Sequence, residues 1–217
     1  MKRKRKIMVL LAADILCGLI LWPSPAHATL ITIEIEAVVD SVRDEGGYLE
    51  GKINPGDIIT GSYTYDLSMV DSNPSSGIGV YEYRMVDVGM SLSVAGYEFA
   101  TDTTSPWFFV ETRNNWVGSD AYWFISVNNV PMINGIGVTL YWILEDSTET
   151  ALGSDALPTG APALEAYDYN VLGIVGGDWR AGGTFTIEGH VTSAIPEPCT
   201  ILLFGSCGVM LVRRNKN

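Results

Sequence analysis

Apolar and polar residues alternate one by one along much of this chain, and that spacing limits its fold more than any other feature. In the run ITIEIEA at residues 31–37, every second position is apolar, three isoleucines and then an alanine, and polar residues lie between. Successive side chains of a β-strand point to opposite faces, so the pattern predicts a strand with one buried and one solvated face. No long stretch repeats its apolar residues at the three- to four-residue spacing that an amphipathic helix needs.

The same alternation recurs in further runs that are separated by turn-forming residues. Clusters such as Asn54-Pro55-Gly56-Asp57 lie between them, and such clusters favour turns. Many short strands with turns at this interval are typical of all-β folds, so we predict an antiparallel β-sandwich or jelly roll that forms a single domain. The predicted strands are residues 31–37, 58–65, 85–94, 107–112, 121–127, 136–144 and 184–192.

Residues 146–177 break the alternation, because they are rich in Gly, Ala, Pro, Ser and Thr with scattered acidic residues. We interpret the segment as a long loop, and long loops of compact domains are often binding surfaces. The alternative is that residues 167–174 form a further strand.

The N-terminal end has the three parts of a secretory signal. A basic run, KRKRK, is followed by an apolar stretch at residues 7–22 and by Ala26-His27-Ala28. Small residues at this spacing suit signal peptidase, so residues 1–28 are predicted to be a cleaved signal peptide. An uncleaved membrane anchor is the alternative, which Asp14 within the apolar stretch weakens.

The C-terminal end has a second apolar segment between a proline-rich lead and a basic tip. Residues 199–212 form a run of fourteen residues, roughly 21 Å as a helix against a hydrocarbon core of about 30 Å. Pro196 and Pro198 prevent its extension towards the N-terminus, and Arg213 with Arg214 marks the far end as cytoplasmic. The precursor is therefore predicted to cross the membrane at both ends, with residues 29–193 outside.

This tail, residues 194–217, resembles the PEP-CTERM sorting signal of exported bacterial proteins. The resemblance rests on the Pro196-Glu197-Pro198 lead, the apolar segment and the Arg213-Arg214 pair. It implies processing by an exosortase, an integral membrane enzyme, on the way to the cell surface, and it implies an exopolysaccharide setting. An ordinary C-terminal membrane anchor is the alternative.

Residues 29–193 are strongly acidic. They contain 23 Asp and Glu against five Lys and Arg, so their net charge is 5 − 23 = −18. This excess argues against a nucleic-acid partner, since phosphates are held by Lys and Arg. The region has no cysteine, which excludes disulfides and a cysteine nucleophile.

The titratable residues identify no catalytic site. His190 is the single histidine of residues 29–193, and no Gly-x-Ser-x-Gly elbow accompanies it. A glycan-active enzyme with paired carboxylates stays open, because glycoside hydrolysis needs only two suitably spaced acids. Calcium also stays open as a cofactor: Asp71 begins an incomplete calcium-loop pattern, and Glu145, Asp146 and Glu149 form a second acidic group.

Aromatic residues supply the candidate glycan contacts, since aromatic faces stack on sugar rings as well as on each other. Trp116 and Trp179 have polar, loop-like neighbours, and we predict that they are surface contacts for glycan. Phe108, Trp123 and Trp142 lie within apolar runs, and we predict that they belong to the core.

Together these patterns predict an exported surface or extracellular-matrix protein that is structural or carbohydrate-associated. The expected partners are signal peptidase, an exosortase-like enzyme and extracellular polysaccharide. A glycan-active enzyme and a calcium-assisted adhesion module are the alternatives.

Overall fold

The computed structural model describes residues 30–178 and 183–197, and this part of the chain consists of β-strands joined by turns and loops. The all-β class predicted from the alternation is confirmed. A short 3-10 helix, Leu164–Ala166, is the one helical segment among these residues. The strands are β1 Leu30–Asp44, β2 Ile58–Asp66, β3 Ile78–Tyr83, β4 Gly89–Val94, β5 Tyr97–Thr101, β6 Phe108–Trp116, β7 Ser119–Ile133, β8 Ile136–Asp146, β9 Tyr169–Gly176 and β10 Phe185–Pro196.

The strands form one antiparallel sheet that closes on itself. Its order is β3-β6-β7-β5-β4-β2-β1-β10-β9-β8, and an additional pairing of β7 with β8 joins eight of the strands in a barrel. The strands β6 and β3 continue outward from β7. The structure therefore has one closed barrel, whereas the sequence predicted two sheets packed face to face. The alternation cannot distinguish these folds, because both bury one face of each strand.

Two long strands make the closure geometrically feasible. β1 and β7 each have 15 residues, and each pairs with different neighbours along its length. The register shifts between Glu36 and Ala37 in β1 and between Ser126 and Asn129 in β7. Such bulges bend a strand and increase its twist, which lets one strand pass from one side of a barrel to the next.

The barrel interior is filled with aromatic rings. The ring centroids of Tyr63 and Phe124 lie 4.1 Å apart, those of Phe124 and Trp142 5.4 Å apart, and all three side chains are fully buried. The indole Nε1 of Trp142 donates to Asn170 Oδ1 at 2.9 Å. Burial of each ring contributes about 1.5–3 kcal/mol. Phe108 is likewise fully buried, as predicted.

Trp123 is an exception to the predicted core. Its neighbours Tyr122 and Phe124 point into the barrel, whereas Trp123 is only partly buried and packs in a second apolar cluster on the outer face of β6 to β9. The guanidinium of Arg113 lies 3.9 Å from the centroid of its ring. The prediction was wrong because β7 is apolar on both faces here, so the apolar run did not indicate which residues point inward.

Within the segment predicted to be a long loop, only the first part, residues 147–168, contains no strand. The strand β9 follows it and pairs with β8 and β10, so the alternative of a further strand is confirmed. Gly173 in this strand gives room to a neighbour: an added Cβ would lie 2.1 Å from Tyr141 Cζ. The Tyr141 ring therefore extends across β9 to β10, where its hydroxyl donates to Glu188 Oε1 at 3.1 Å.

Residues 147–168 cover one end of the barrel. The Tyr65 hydroxyl donates to the Pro158 carbonyl at 2.8 Å, and the Tyr81 hydroxyl donates to the Asp155 carbonyl at 3.0 Å. Asp155 Oδ2 also accepts the Gly77 N–H at 2.9 Å. We call residues 147–168 the cap loop.

Candidate functional site

A hydroxyl-lined groove runs across five adjacent strands on the outside of the barrel, over β10, β1, β2, β4 and β5. Strand pairing sets Glu36, Thr60, Ser93 and Glu98 side by side in one row. These residues lie at outward positions, between the buried residues of their strands. A second row, displaced by two residues along each strand, consists of Ile195, Glu34, Ser62, Ser91 and Ala100.

The groove is deepest where its outward side chains are short, and these are Thr60, Ser62, Ser91 and Ser93. Its largest section has a volume of about 610 Å³, extends from Thr60 to Glu98, and is bounded by Val130 and Pro131 at the end of β7. A second section of about 390 Å³ adjoins it at Thr60 and ends at Glu197. Ligand sites are generally concave in this way, with a few polar groups that fix orientation.

The groove is negatively charged, and no internal cation balances it. Glu34, Glu36, Glu98 and Glu197 line it, and none of them has a Lys or Arg within ion-pair distance in residues 30–178 and 183–197. The described cations are engaged elsewhere. Lys52 pairs with Glu50, Arg84 with Glu82, and Arg113 with Glu111, while Arg43 donates to the Gly183 carbonyl.

A buried polar network closes the barrel beside the groove, where β5 meets β7. Only two residue pairs join these strands, one of them Thr101 with Asn129. The hydroxyls of Thr101 and Ser126 lie 2.7 Å apart, and Ser126 Oγ donates to Asn129 Oδ1 at 2.6 Å. Asn129 Nδ2 donates to the carbonyls of Ser126 and Val138, both at 2.8 Å. This network compensates for the short ladder at the seam.

The start of the predicted sorting signal belongs to the barrel. Pro196 is the last residue of β10, opposite Ile33, and the N–H of the exposed Glu197 donates to the Thr32 carbonyl at 3.0 Å. The strand thus continues beyond Ser193, where the sequence placed the end of the β-rich region. Pro198, Arg213 and Arg214 lie outside the described residues, as do the predicted signal peptide 1–28 and the apolar helix 199–212.

Trp116, one of the two predicted tryptophan contacts, lies away from the groove. Trp116 is 40% exposed at the end of β6, beside the exposed Val117, in the hairpin between β6 and β7. It is a surface residue, but the groove lies on other strands. Trp179 lies outside the described residues.

Two buried acids face each other across β7 and β8, and both serve the loops at the capped end. Asp120 accepts the backbone N–H groups of Asn115 at 2.8 Å and Leu152 at 2.7 Å. Asp146 accepts the hydroxyl of Thr148 at 2.6 Å and the N–H of Thr150 at 2.8 Å. These bonds to Thr148 and Thr150 hold the pKa of Asp146 well below its ordinary value.

This arrangement makes the two aspartates anchors for the cap loop rather than an acid/base pair. A general acid for glycoside hydrolysis needs a raised pKa and a free oxygen, whereas the oxygens of Asp120 and Asp146 are occupied by backbone N–H groups. Burial, together with these two carboxylates, raises the pKa of the nearby Tyr167 to about 12. Asp120 and Asp146 therefore do not form a catalytic acid/base pair.

The remaining predicted candidates also have local partners. Asp71 Oδ1 accepts the N–H groups of Asn73 and Val80, both at 2.8 Å, and so fixes a turn. The exposed His190 has its Nδ1 2.9 Å from the Asp40 carboxylate. Among the described residues, no group of three or more His, Cys, Asp or Glu side chains is placed to hold a metal ion.

Among residues 30–178 and 183–197, no helix is long and apolar enough to span a lipid bilayer.

Comparison of the chain with family models, curated proteins and solved structures gave no match.

The groove residues were missed by sequence reasoning, although a signal for them exists. Thr60, Ser62, Ser91 and Ser93 occupy the polar positions of two predicted strands. Solvated strand faces commonly carry long charged side chains, whereas here the polar side chains are short. The signal would have indicated a recessed surface only if β2 and β4 had been known to be neighbours.

Proposed function

We propose that this protein is an exported surface or extracellular-matrix protein whose barrel associates with carbohydrate. The hydroxyl-lined groove carries the proposal. Its rows of hydroxyl and carboxylate groups offer the donors and acceptors that pair with sugar hydroxyls, and Val130 and Pro131 offer apolar surface for the C–H faces of the rings.

The length of the groove favours a polymer over a single sugar. The row from Glu36 to Glu98 crosses from β1 to β5 by way of Thr60 and Ser93. Three interstrand spacings of about 4.8 Å give roughly 14 Å for this row, and the section that ends at Glu197 extends the groove beyond it. A surface of this length suits a chain of linked sugars.

Export and sorting form the second part of the proposal, with residues 1–28 as signal peptide and residues 199–212 as a C-terminal membrane helix. A cut after Ala28 would leave β1 whole, because that strand begins at Leu30. Pro196 and Glu197 are exposed at the end of β10, which favours access by an exosortase-like enzyme. The mature protein then acts at the cell surface or in the surrounding matrix.

A glycan array probed with the full-length chain in mild detergent tests the carbohydrate role. Ser91→Tyr places a large ring in the second row of the groove, and Ser76→Tyr makes the same change on an exposed turn outside it. We expect the parent and Ser76→Tyr to bind the same glycans and Ser91→Tyr to lose them. Absence of binding by the parent to every extracellular polysaccharide tested would overturn the proposal.

A further inference from the structure

The charged residues of the groove lie to either side of its hydroxyl-lined middle. Its floor consists of short hydroxyl side chains. The first row has a carboxylate at each end, Glu36 on β1 and Glu98 on β5, and Glu34 adds a carboxylate on β1 in the second row. Glu197 adds a fourth carboxylate at the end that adjoins β10. A ligand that lies along the first row therefore meets hydroxyls in the middle and a carboxylate at either end.

We infer that the groove binds a glycan that carries protonated amino groups, and that it disfavours glycans built from uronic acids. The inference rests on the proposed carbohydrate role and names the class of sugar that this groove takes. Its basis is charge complementarity in a groove whose carboxylates have no Lys or Arg partner among the described residues.

Hydrogen bonding and long-range electrostatics favour the same class. An ammonium group donates charge-assisted hydrogen bonds to a carboxylate, and these are stronger than bonds between neutral groups. A uronate would instead place like charges together and lose the hydration of both. The net charge of the whole chain is −12, so its field also attracts polycations and repels polyanions before contact.

The geometry sets how an amino-sugar chain would lie. Glu36 and Glu98 are the ends of one row, roughly 14 Å apart across three interstrand spacings. Amino groups on separate sugars of one chain can therefore reach both carboxylates, while Thr60 and Ser93 meet the hydroxyls between. A single amino sugar reaches only one end, so affinity should rise with chain length.

Calorimetric titration of the full-length chain in mild detergent tests this inference with three hexasaccharides. The first is a glucosamine hexamer with free amino groups, the second is the same hexamer fully N-acetylated, and the third is a hexamer of galacturonic acid. We expect the affinities to fall in this order. Binding of the first hexamer should weaken at high salt, because salt screens exposed charges.

Two charge-matched variants locate the site. One carries Glu34→Gln, Glu36→Gln and Glu98→Gln in the groove. The other carries the same change at three exposed glutamates outside it, namely Glu45, Glu149 and Glu165. Both raise the net charge by three, but only the groove variant should lose binding of the free-amine hexamer, by about tenfold or more.

Each contrary result has a distinct meaning. Equal affinity for the free-amine and N-acetylated hexamers would overturn the amino-sugar inference and leave the carbohydrate role standing. Binding of no glycan in this assay or on the array would overturn both. Equal losses in the two variants would show that total charge, and not the groove, governs binding. A lysine hexamer that competed as well as the glucosamine hexamer would show that the site recognises positive charge and does not require a sugar. That result would also overturn the inference.

Discussion

Removal of the Asn129 side chain should weaken the barrel at the seam between β5 and β7. Asn129 is 5% exposed and makes three hydrogen bonds, two as donor to the carbonyls of Ser126 and Val138 and one as acceptor from Ser126 Oγ. In Asn129→Ala these groups lose their partner while they stay away from water. Each such bond contributes about 1 kcal/mol net, so we expect a loss of about 3 kcal/mol in the free energy of unfolding.

Urea denaturation measures the loss, and a thermal melt provides a second reading. For a domain of this size 1 kcal/mol corresponds to about 2–4 °C in Tm, so Asn129→Ala should lower Tm by about 6–12 °C. The control is Asn128→Ala, next in sequence. Asn128 donates from the surface to Ser105 Oγ and the Ser105 carbonyl, and its loss should cost less than about 1 kcal/mol.

The position of the weakening can be tested as well. Because β5 pairs with β7 at only two residue pairs, Asn129→Ala should speed amide hydrogen exchange in Tyr97–Thr101 more than in β1 or β10. A double-mutant cycle with Thr101→Val should show coupling through Ser126, which both residues contact. If Asn129→Ala changed stability no more than Asn128→Ala, the network would not be what closes the seam.

Three further predictions concern the chain ends and the cap loop. Intact-mass analysis of the exported protein should show a start at Thr29 and no residues 199–217; retention of that segment would favour a plain anchor. Replacement of Pro196 and Pro198 with alanine, in a host with the matching exosortase, should leave export and insertion intact but block release, because proline keeps the approach extended; processing at the parental rate would contradict this role. The pKa of Asp146 is lowered in the folded state, so its contribution to stability is present above about pH 4, the ordinary range for an aspartate, and is lost as the pH falls towards its folded pKa. Acid titrations should therefore show the stability gap between parent and Asp146→Asn narrowing progressively as the pH falls below about 4, and a gap that stayed constant over that range would exclude this origin.

The alternation predicted which segments are strands better than where they end. β1 continues to Asp44 and β7 to Ile133, both well beyond the predicted runs. Bulges shift the pleat inside these strands, so a strict period of two ends before the strand does. Two short strands, β3 and β5, were not predicted, because glycine or a turn interrupts the sequence beside each and only a few residues alternate.

The candidate site depends on neighbours that are distant in sequence, and this is why the sequence did not reveal it. Ser62 and Ser91 lie opposite each other although they are 29 residues apart. Which strands adjoin, and whether the sheet closes, follows from the packing of the whole chain and not from local periodicity. Trp116 shows the opposite case. Its polar neighbours in the sequence correctly predicted that it is exposed, but an exposed residue need not lie in a concave surface, and Trp116 does not.

The first and last strands leave the barrel at the same end, since Ile33 lies opposite Pro196 and Glu197 is bonded to Thr32. β1 has 15 residues, so the opposite end of the barrel lies up to roughly 45 Å away at about 3.3 Å per residue. On the proposed export route, a precursor held at both termini would keep its capped end turned towards the bilayer. A cut in the tail would then shorten the chain and also release the barrel from the membrane. The released barrel could turn its capped end away from the bilayer.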